Sequence, residues 1–129
     1  MSFAIRVLGR QKLPRIAWER IKNNILLGRY ELSLVFADSK RMKALNLAYR
    51  KKNTTTNVLA FPLGKNEGEI FMDLAVAKRE ALAQAIPYNA YVLHLYIHAL
   101  LHLKGFDHET ERERIRMNKE ENKWLKALQ

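Results

Sequence analysis

Cysteine is absent from the chain. No disulfide framework can therefore exist, and a cytoplasmic location is the natural expectation. Proline and glycine are sparse, at 3 and 5 residues in 129, and no repeat, low-complexity tract or interdomain linker interrupts the sequence. No run approaches the roughly eighteen apolar residues of a membrane helix. Met1-Ser2-Phe3 leads into Arg6 and Arg10 without the apolar core of a signal peptide, so no membrane association is expected. Acidic residues are in deficit, 13 against 23 basic ones, for a formal net charge of +10. A field of that sign attracts polyanions, and nucleic acid is the favoured partner. An anionic membrane is a weaker candidate, because no segment is a clean basic amphipathic helix. A basic surface kept for solubility is the plainer alternative. Hydrophobic content of 48% and charged content of 28% are ordinary for a globular domain, and the length suits one domain over residues 1–129.

The periodicity can be followed in order. Residues 3–8 alternate and are rich in β-formers, which predicts a strand. Pro14 suits the first turn of a helix carrying Ile16, Ala17, Ile21 and Ile25, with Gly28 as its C-cap. Residues 32–36 read as a strand. Asp38 or Ser39 can cap a helix whose apolar stripe is Met42, Leu45 and Tyr49. Residues 51–56 are polar and break the period, as a loop does. Residues 57–61 make a short strand ended by Pro62, residues 64–68 a turn and residues 69–72 a further strand. An alanine-rich helix is predicted over 74–86. Pro87 and Asn89 open the next helix, which is apolar from 90 to 101. Thr110 and Glu113 form a capping box ahead of a charged helix over 115–128. This order predicts an α+β fold, one small mixed sheet packed against helices with the apolar helix central. Strand directions are left open.

Chemistry concentrates in His98-Ala99-Leu100-Leu101-His102-Leu103-Lys104-Gly105-Phe106-Asp107-His108. His98 and His102 lie one helical turn apart on one face. Gly105 can end the helix in a left-handed cap and turn the chain so that His108 reaches the same point. Three imidazoles on one ion leave a fourth tetrahedral position open, as in catalytic zinc sites. One i, i+4 histidine pair means little by itself; the third histidine beyond a helix-ending glycine makes the case. The spacing is that of the metzincin proteases, yet their general-base Glu is replaced here by Ala99. His94 lies one turn earlier and reads as a core or rim residue, since a fourth imidazole would close the site. Asp107 either orients a ligand imidazole or only shapes the turn. Trp18, Trp124, Tyr88 and Tyr91 are spaced like packing residues.

The string from His98 to His108 resembles the signature of the YbeY family, H-G-x-L-H-L-x-G-[YF]-D-H. Leu45-Asn46-Leu47-Ala48-Tyr49-Arg50, followed by Thr56-Asn57-Val58-Leu59-Ala60-Phe61-Pro62, resembles that family's second block, L-N-x-x-Y-R…T-D-V-L-S-F-P. Ala99, Asn57, Ala60 and Glu69 depart from the usual Gly, Asp, Ser and Asp, and none of these changes removes a histidine of the string. The resemblance implies a four-stranded sheet with a zincin-like helix arrangement. It also implies one zinc or other transition-metal ion per chain held by His98, His102 and His108. From position alone, Arg50 is a helix-end arginine favouring the local dipole; the resemblance makes it a catalytic residue of the active site. Lys51 and Lys52 form a phosphate-binding patch or simple surface charge.

The function so implied is a metal-dependent endoribonuclease acting on single-stranded RNA. Its expected roles are ribosomal RNA processing, notably maturation of the 3′ end of 16S rRNA, and ribosome quality control, with the ribosome or small-subunit proteins as partners. The competing readings are a non-catalytic ribosome-assembly factor with a structural metal site and a metallohydrolase of another substrate. The missing Glu and the +10 charge count against the latter.

Overall fold

The computed structural model describes residues 3–27, 29–50 and 56–128, with Arg50 represented by its backbone alone. Four strands and five helices follow in the order β1 (Phe3–Val7), α1 (Trp18–Ile25), β2 (Glu31–Phe36), α2 (Ser39–Arg50), β3 (Val58–Gly64), β4 (Glu67–Met72), α3 (Leu74–Ala83), α4 (Tyr88–Lys104) and α5 (Glu111–Leu128). The sheet order is β1-β2-β4-β3, with β1, β2 and β4 parallel and β3 antiparallel along one edge. This is the mixed sheet of an α+β fold.

Alternation along the central strands divides the packing between two faces. On one face Leu32, Leu34, Ile70 and Met72 join Val92, Tyr96, Ile97, Leu100 and Leu101 of α4 in the main core. The opposite face carries a smaller cluster in which Met42 of α2 and Leu59 of β3 are buried, with Leu45, Phe61 and Phe71 packed around them. Helix α4 touches α1, α3, α5 and β3, which explains why its sequence is apolar on nearly every side. Trp18 packs edge-on against Phe36 and Tyr96, and the Tyr96 hydroxyl donates to the Trp18 carbonyl at 2.8 Å.

Several boundaries differ from the sequence reading. Helix α1 begins at Trp18 rather than Pro14, with Ala17 as its N-cap accepting from the Ile21 N–H at 3.0 Å. Gly28, the expected C-cap, lies outside the described residues, and the helix closes at Leu26, whose N–H bonds the Lys22 carbonyl. Strand β3 does not stop at Pro62 but runs to Gly64, with a bulge between the two. An edge strand has a side that needs no ladder N–H, so proline is tolerated there. Tyr49 leaves the expected apolar stripe; it is 70% exposed, with its ring 5.1 Å from Phe61.

Helix α3 stops at Ala83 rather than 86. Ala85 takes a left-handed φ of 56°, and the Ile86 N–H returns to the Ala81 carbonyl, a closure that ends helices. At its other end Asp73 caps α3 by accepting from the N–H groups of Ala75 and Val76 at 3.0 and 3.2 Å. The capping box of α5 forms in both directions, Thr110 N–H to Glu113 and Glu113 N–H to Thr110, and starts the helix at Glu111, ahead of the expected 115.

Gly68 is in β4 and not in a turn. A Cβ there would stand 2.4 Å from the Tyr30 hydroxyl and 3.0 Å from a Leu103 methyl. Close approach, rather than backbone freedom, requires glycine at this position.

Candidate functional site

A cleft of about 1080 Å³ opens between α4, β3, the segment after Gly105 and one face of α5. Helix α4 supplies His94, His98 and His102 to its wall. The helix then ends as the glycine predicted: Gly105 adopts φ 116° and ψ 0°, and the Phe106 N–H reaches back to the Leu101 carbonyl at 3.0 Å. This reversal carries Asp107 and His108 to the same cleft, where the rings of His98 and His108 lie 5.3 Å apart. His98, His102 and His108, separated by up to ten positions in sequence, thus face one space.

The donor set suits a transition-metal ion, since imidazole nitrogens are the commonest ligands of zinc and its neighbours. The side chains are nevertheless not drawn together: among the described residues, no three His, Cys, Asp or Glu side chains stand in a ready metal-binding arrangement. At His98 the Nδ1 is engaged by Glu121 Oε2.

Glu121 is the residue that the sequence reading missed. It belongs to α5, is only 4% exposed, and divides its carboxylate between two rings, Oε2 toward His98 Nδ1 and Oε1 toward His94 Nε2 at 3.1 Å. Burial pushes its carboxyl up, but the hydrogen bonds and charges of His94 and His98 outweigh this and bring it down to about 2. The same hydrogen bond raises His94, against the opposing effect of burial. A signal did exist. Glu121 falls in the apolar stripe of α5, one turn after buried Met117 and one turn before Trp124 and Leu125. A carboxylate in such a stripe needs partners.

Other expectations resolve at the residue level. His94 is a rim residue, with its side chain 48% exposed. Asp107 accepts from the backbone N–H of His108 at 2.7 Å and stands 3.9 Å from that residue's Nδ1, so here it shapes the turn. Trp18 is buried, and Trp124, Tyr88 and Tyr91 pack against the main core, as their spacing suggested. Ala99 is buried along the cleft and offers no titratable group. Asn57 lines the opposite wall and donates to Glu80 Oε1 at 2.8 Å, an oxygen that also accepts from the Tyr91 hydroxyl at 3.0 Å. The Arg50 side chain, Lys51 and Lys52 lie outside the described residues; Tyr49, beside Arg50, lines the cleft.

The family model described as Endoribonuclease YbeY matches residues 10–129. The chain belongs to this family. Among YbeY relatives, the Endoribonuclease YbeY of Neorickettsia sennetsu is 36% identical over 104 residues, covering 76% of this chain and 73% of its own length. The protein of the same name from Campylobacter jejuni is 39% identical over 100 residues, covering 74% and 75% of the two chains. That from Polynucleobacter asymbioticus reaches 42% over 101 residues, covering 75% of this chain and 65% of the relative. The solution structure of TM1509 from Thermotoga maritima superposes with a TM-score of 0.67 at 26% identity, over 97% of this chain and 89% of that one. Membership in YbeY thus accounts for both sequence blocks and for the α+β architecture. No described helix is long and apolar enough to cross a membrane.

Proposed function

We propose that the protein is a metal-dependent endoribonuclease that cuts single-stranded RNA, with ribosomal RNA, notably of the small subunit, as its substrate. One observation carries the reading: three histidines from two separate segments face one open cleft in a chain of the YbeY family with a net charge of +10. His98, His102 and His108 would hold the ion, zinc being the first choice for three imidazoles. When bound, the ion supplies Lewis-acid chemistry at the scissile phosphate.

The protein's own groups have narrower tasks. Ala99 removes the carboxylate that a peptidase would carry beside its first histidine. Glu121 has both oxygens committed to imidazoles and is not available as a general base. Arg50, with a planar fork suited to phosphate, would neutralise charge that builds on the transferring group. Lys51 and Lys52 would draw the RNA backbone toward the cleft.

The test is cleavage of single-stranded RNA by the purified protein, with and without chelator, alongside elemental analysis and a peptide substrate. The expected result is chelator-sensitive cleavage of RNA alone. Cleavage that survives both complete chelation and His102→Ala would refute the metal role. RNA binding without any cleavage would leave an assembly factor as the correct description.

A further inference from the structure

Two carboxylates are buried among the described residues, Asp73 and Glu121. Asp73 is occupied in capping α3 and accepting from the Ser39 hydroxyl. Glu121 caps nothing. It reaches from α5 to α4 and contacts two imidazoles one turn apart, through a different nitrogen of each: Nε2 of His94 and Nδ1 of His98.

That difference decides what each ring can still do. A ring whose Nδ1–H is held by a carboxylate is fixed in tautomer and orientation, and its Nε2 becomes the more basic lone pair. His98 therefore keeps Nε2, the nitrogen at the far end of the ring, for the space it shares with His102 and His108. His94 is in the reverse position, with Nε2 engaged and only Nδ1, next to its own backbone, remaining.

We propose that Glu121 is a positioning residue of the metal centre: it presents His98 Nε2 to the ion and keeps His94 out of the ligand set. The proposal rests on the reading that His98, His102 and His108 hold the ion. It also supplies a physical reason why the second and third turns of one histidine-bearing face bind metal and the first does not.

The experiment uses the full chain as wild type, Glu121→Gln, Glu121→Asp and His94→Ala. Cobalt(II) affinity is read from absorbance titrations against a competing chelator. The protonated nitrogen of His98 in metal-free protein is read from long-range proton–nitrogen-15 correlations. Circular dichroism and thermal midpoints report the fold. Wild type should bind one cobalt per chain and carry the His98 proton on Nδ1. Glu121→Gln keeps shape but loses charge and one acceptor. It should bind cobalt about 10–100-fold more weakly, with His98 redistributed between tautomers. Glu121→Asp, one methylene short but still charged, should fall between the two, and it carries the test if the glutamine variant does not fold. His94→Ala should bind cobalt as wild type does.

A folded Glu121→Gln or Glu121→Asp with wild-type affinity and an unchanged His98 tautomer overturns the proposal, even if its thermal midpoint drops. So does a wild-type His98 protonated on Nε2. Wild type that takes up no cobalt removes the three-histidine reading itself, and the proposal with it. Failure of the proposal alone leaves wild-type binding intact.

Discussion

Four histidines face one cleft, and their neighbours make them chemically unequal. His98 is fixed by Glu121 through Nδ1, His108 is brought in by the Gly105 turn, and His94 gives its Nε2 to Glu121 at the rim. Alanine at His98, His102 or His108 should therefore each abolish stoichiometric metal, while His94→Ala should retain it, as measured by elemental analysis after gel filtration. A metal-free His94→Ala beside a fully loaded His108→Ala would reverse the assignment. Arg50 predicts a different kind of loss. If its guanidinium meets charge that develops only in the transition state, Arg50→Ala should slow single-turnover cleavage by about 10²-fold or more, with metal content unchanged. Arg50→Lys should recover only part, lacking the two-pronged fork. Wild-type cleavage by Arg50→Ala at saturating enzyme would show that the residue only favours the end of α2. Asn57 shows how a departure from a family pattern can be internally consistent. Its amide donates to Glu80, so the family's usual Asp would here place two carboxylates in contact. Asn57→Asp should cost about 1–3 kcal/mol at neutral pH through the lost donor and the repulsion. In that variant one carboxyl of the pair has its folded-state pKa raised above the unfolded value. The penalty is thus fully present above the raised pKa, shrinks as pH falls below it, and is gone below the unfolded value. Denaturant titrations of the variant and wild type at pH 7 and pH 5 check this, and a pH-independent difference counts against it.

Local chemistry made most elements legible. Gly105 announces the end of α4, Thr110 and Glu113 announce the start of α5, and alternation marks β2. The histidine string was readable because two of its members share a helix and the third follows a turn of recognisable type. Features set by distant neighbours were not readable. Pro62 ends a strand by local rules, yet β3 continues past it because the strand lies at a sheet edge. Tyr49 falls on the helical stripe but reaches Phe61 from an exposed position. Glu121 becomes part of the site only when α5 packs on α4, a contact across 23 positions of sequence from His98. Gly68 belongs to the same class, looking like a turn glycine while serving contact between β4 and its neighbours. Gly68→Ala forces a methyl to within 2.4 Å of the buried Tyr30 hydroxyl and should destabilise by about 1–3 kcal/mol, the usual cost of overpacking. Tyr30→Phe removes the atom that clashes, so the double variant should be more stable than the two single effects added together. Strict additivity in denaturant melts would show that the conflict lies elsewhere.

At the scale of the whole molecule, α4 and the turn after Gly105 bring the histidines to one cleft, while the excess of positive charge is expected to govern encounter with RNA. These two contributions are separable. A polyanion whose condensed counterions are released when lysines and arginines neutralise its phosphates binds less tightly as salt rises, whatever the state of the catalytic centre. For single strands the logarithmic slope is about −0.7 per phosphate neutralised, so four phosphate contacts would give a slope near −3 and roughly a 50-fold loss of affinity for a fourfold rise in salt. With 23 basic residues against 13 acidic ones, four such contacts are a modest expectation. Binding of single-stranded RNA by His102→Ala, which should be uncleaving, isolates this term from catalysis. Its affinity should fall steeply between about 50 and 200 mM salt, in parallel with metal-loaded wild type under conditions that block turnover. Lys51→Ala or Lys52→Ala should each flatten the slope by about 0.7 if that lysine neutralises a phosphate, and leave the chemical step of bound RNA unchanged. A flat salt response in His102→Ala would mean that the charge excess serves solubility and that RNA is held by other forces. A steep response that vanishes with the metal would instead mean that the ion, and not the basic surface, anchors the phosphates. Only a steep, metal-independent response fits a molecule in which the basic surface captures RNA and the histidine cleft cuts it.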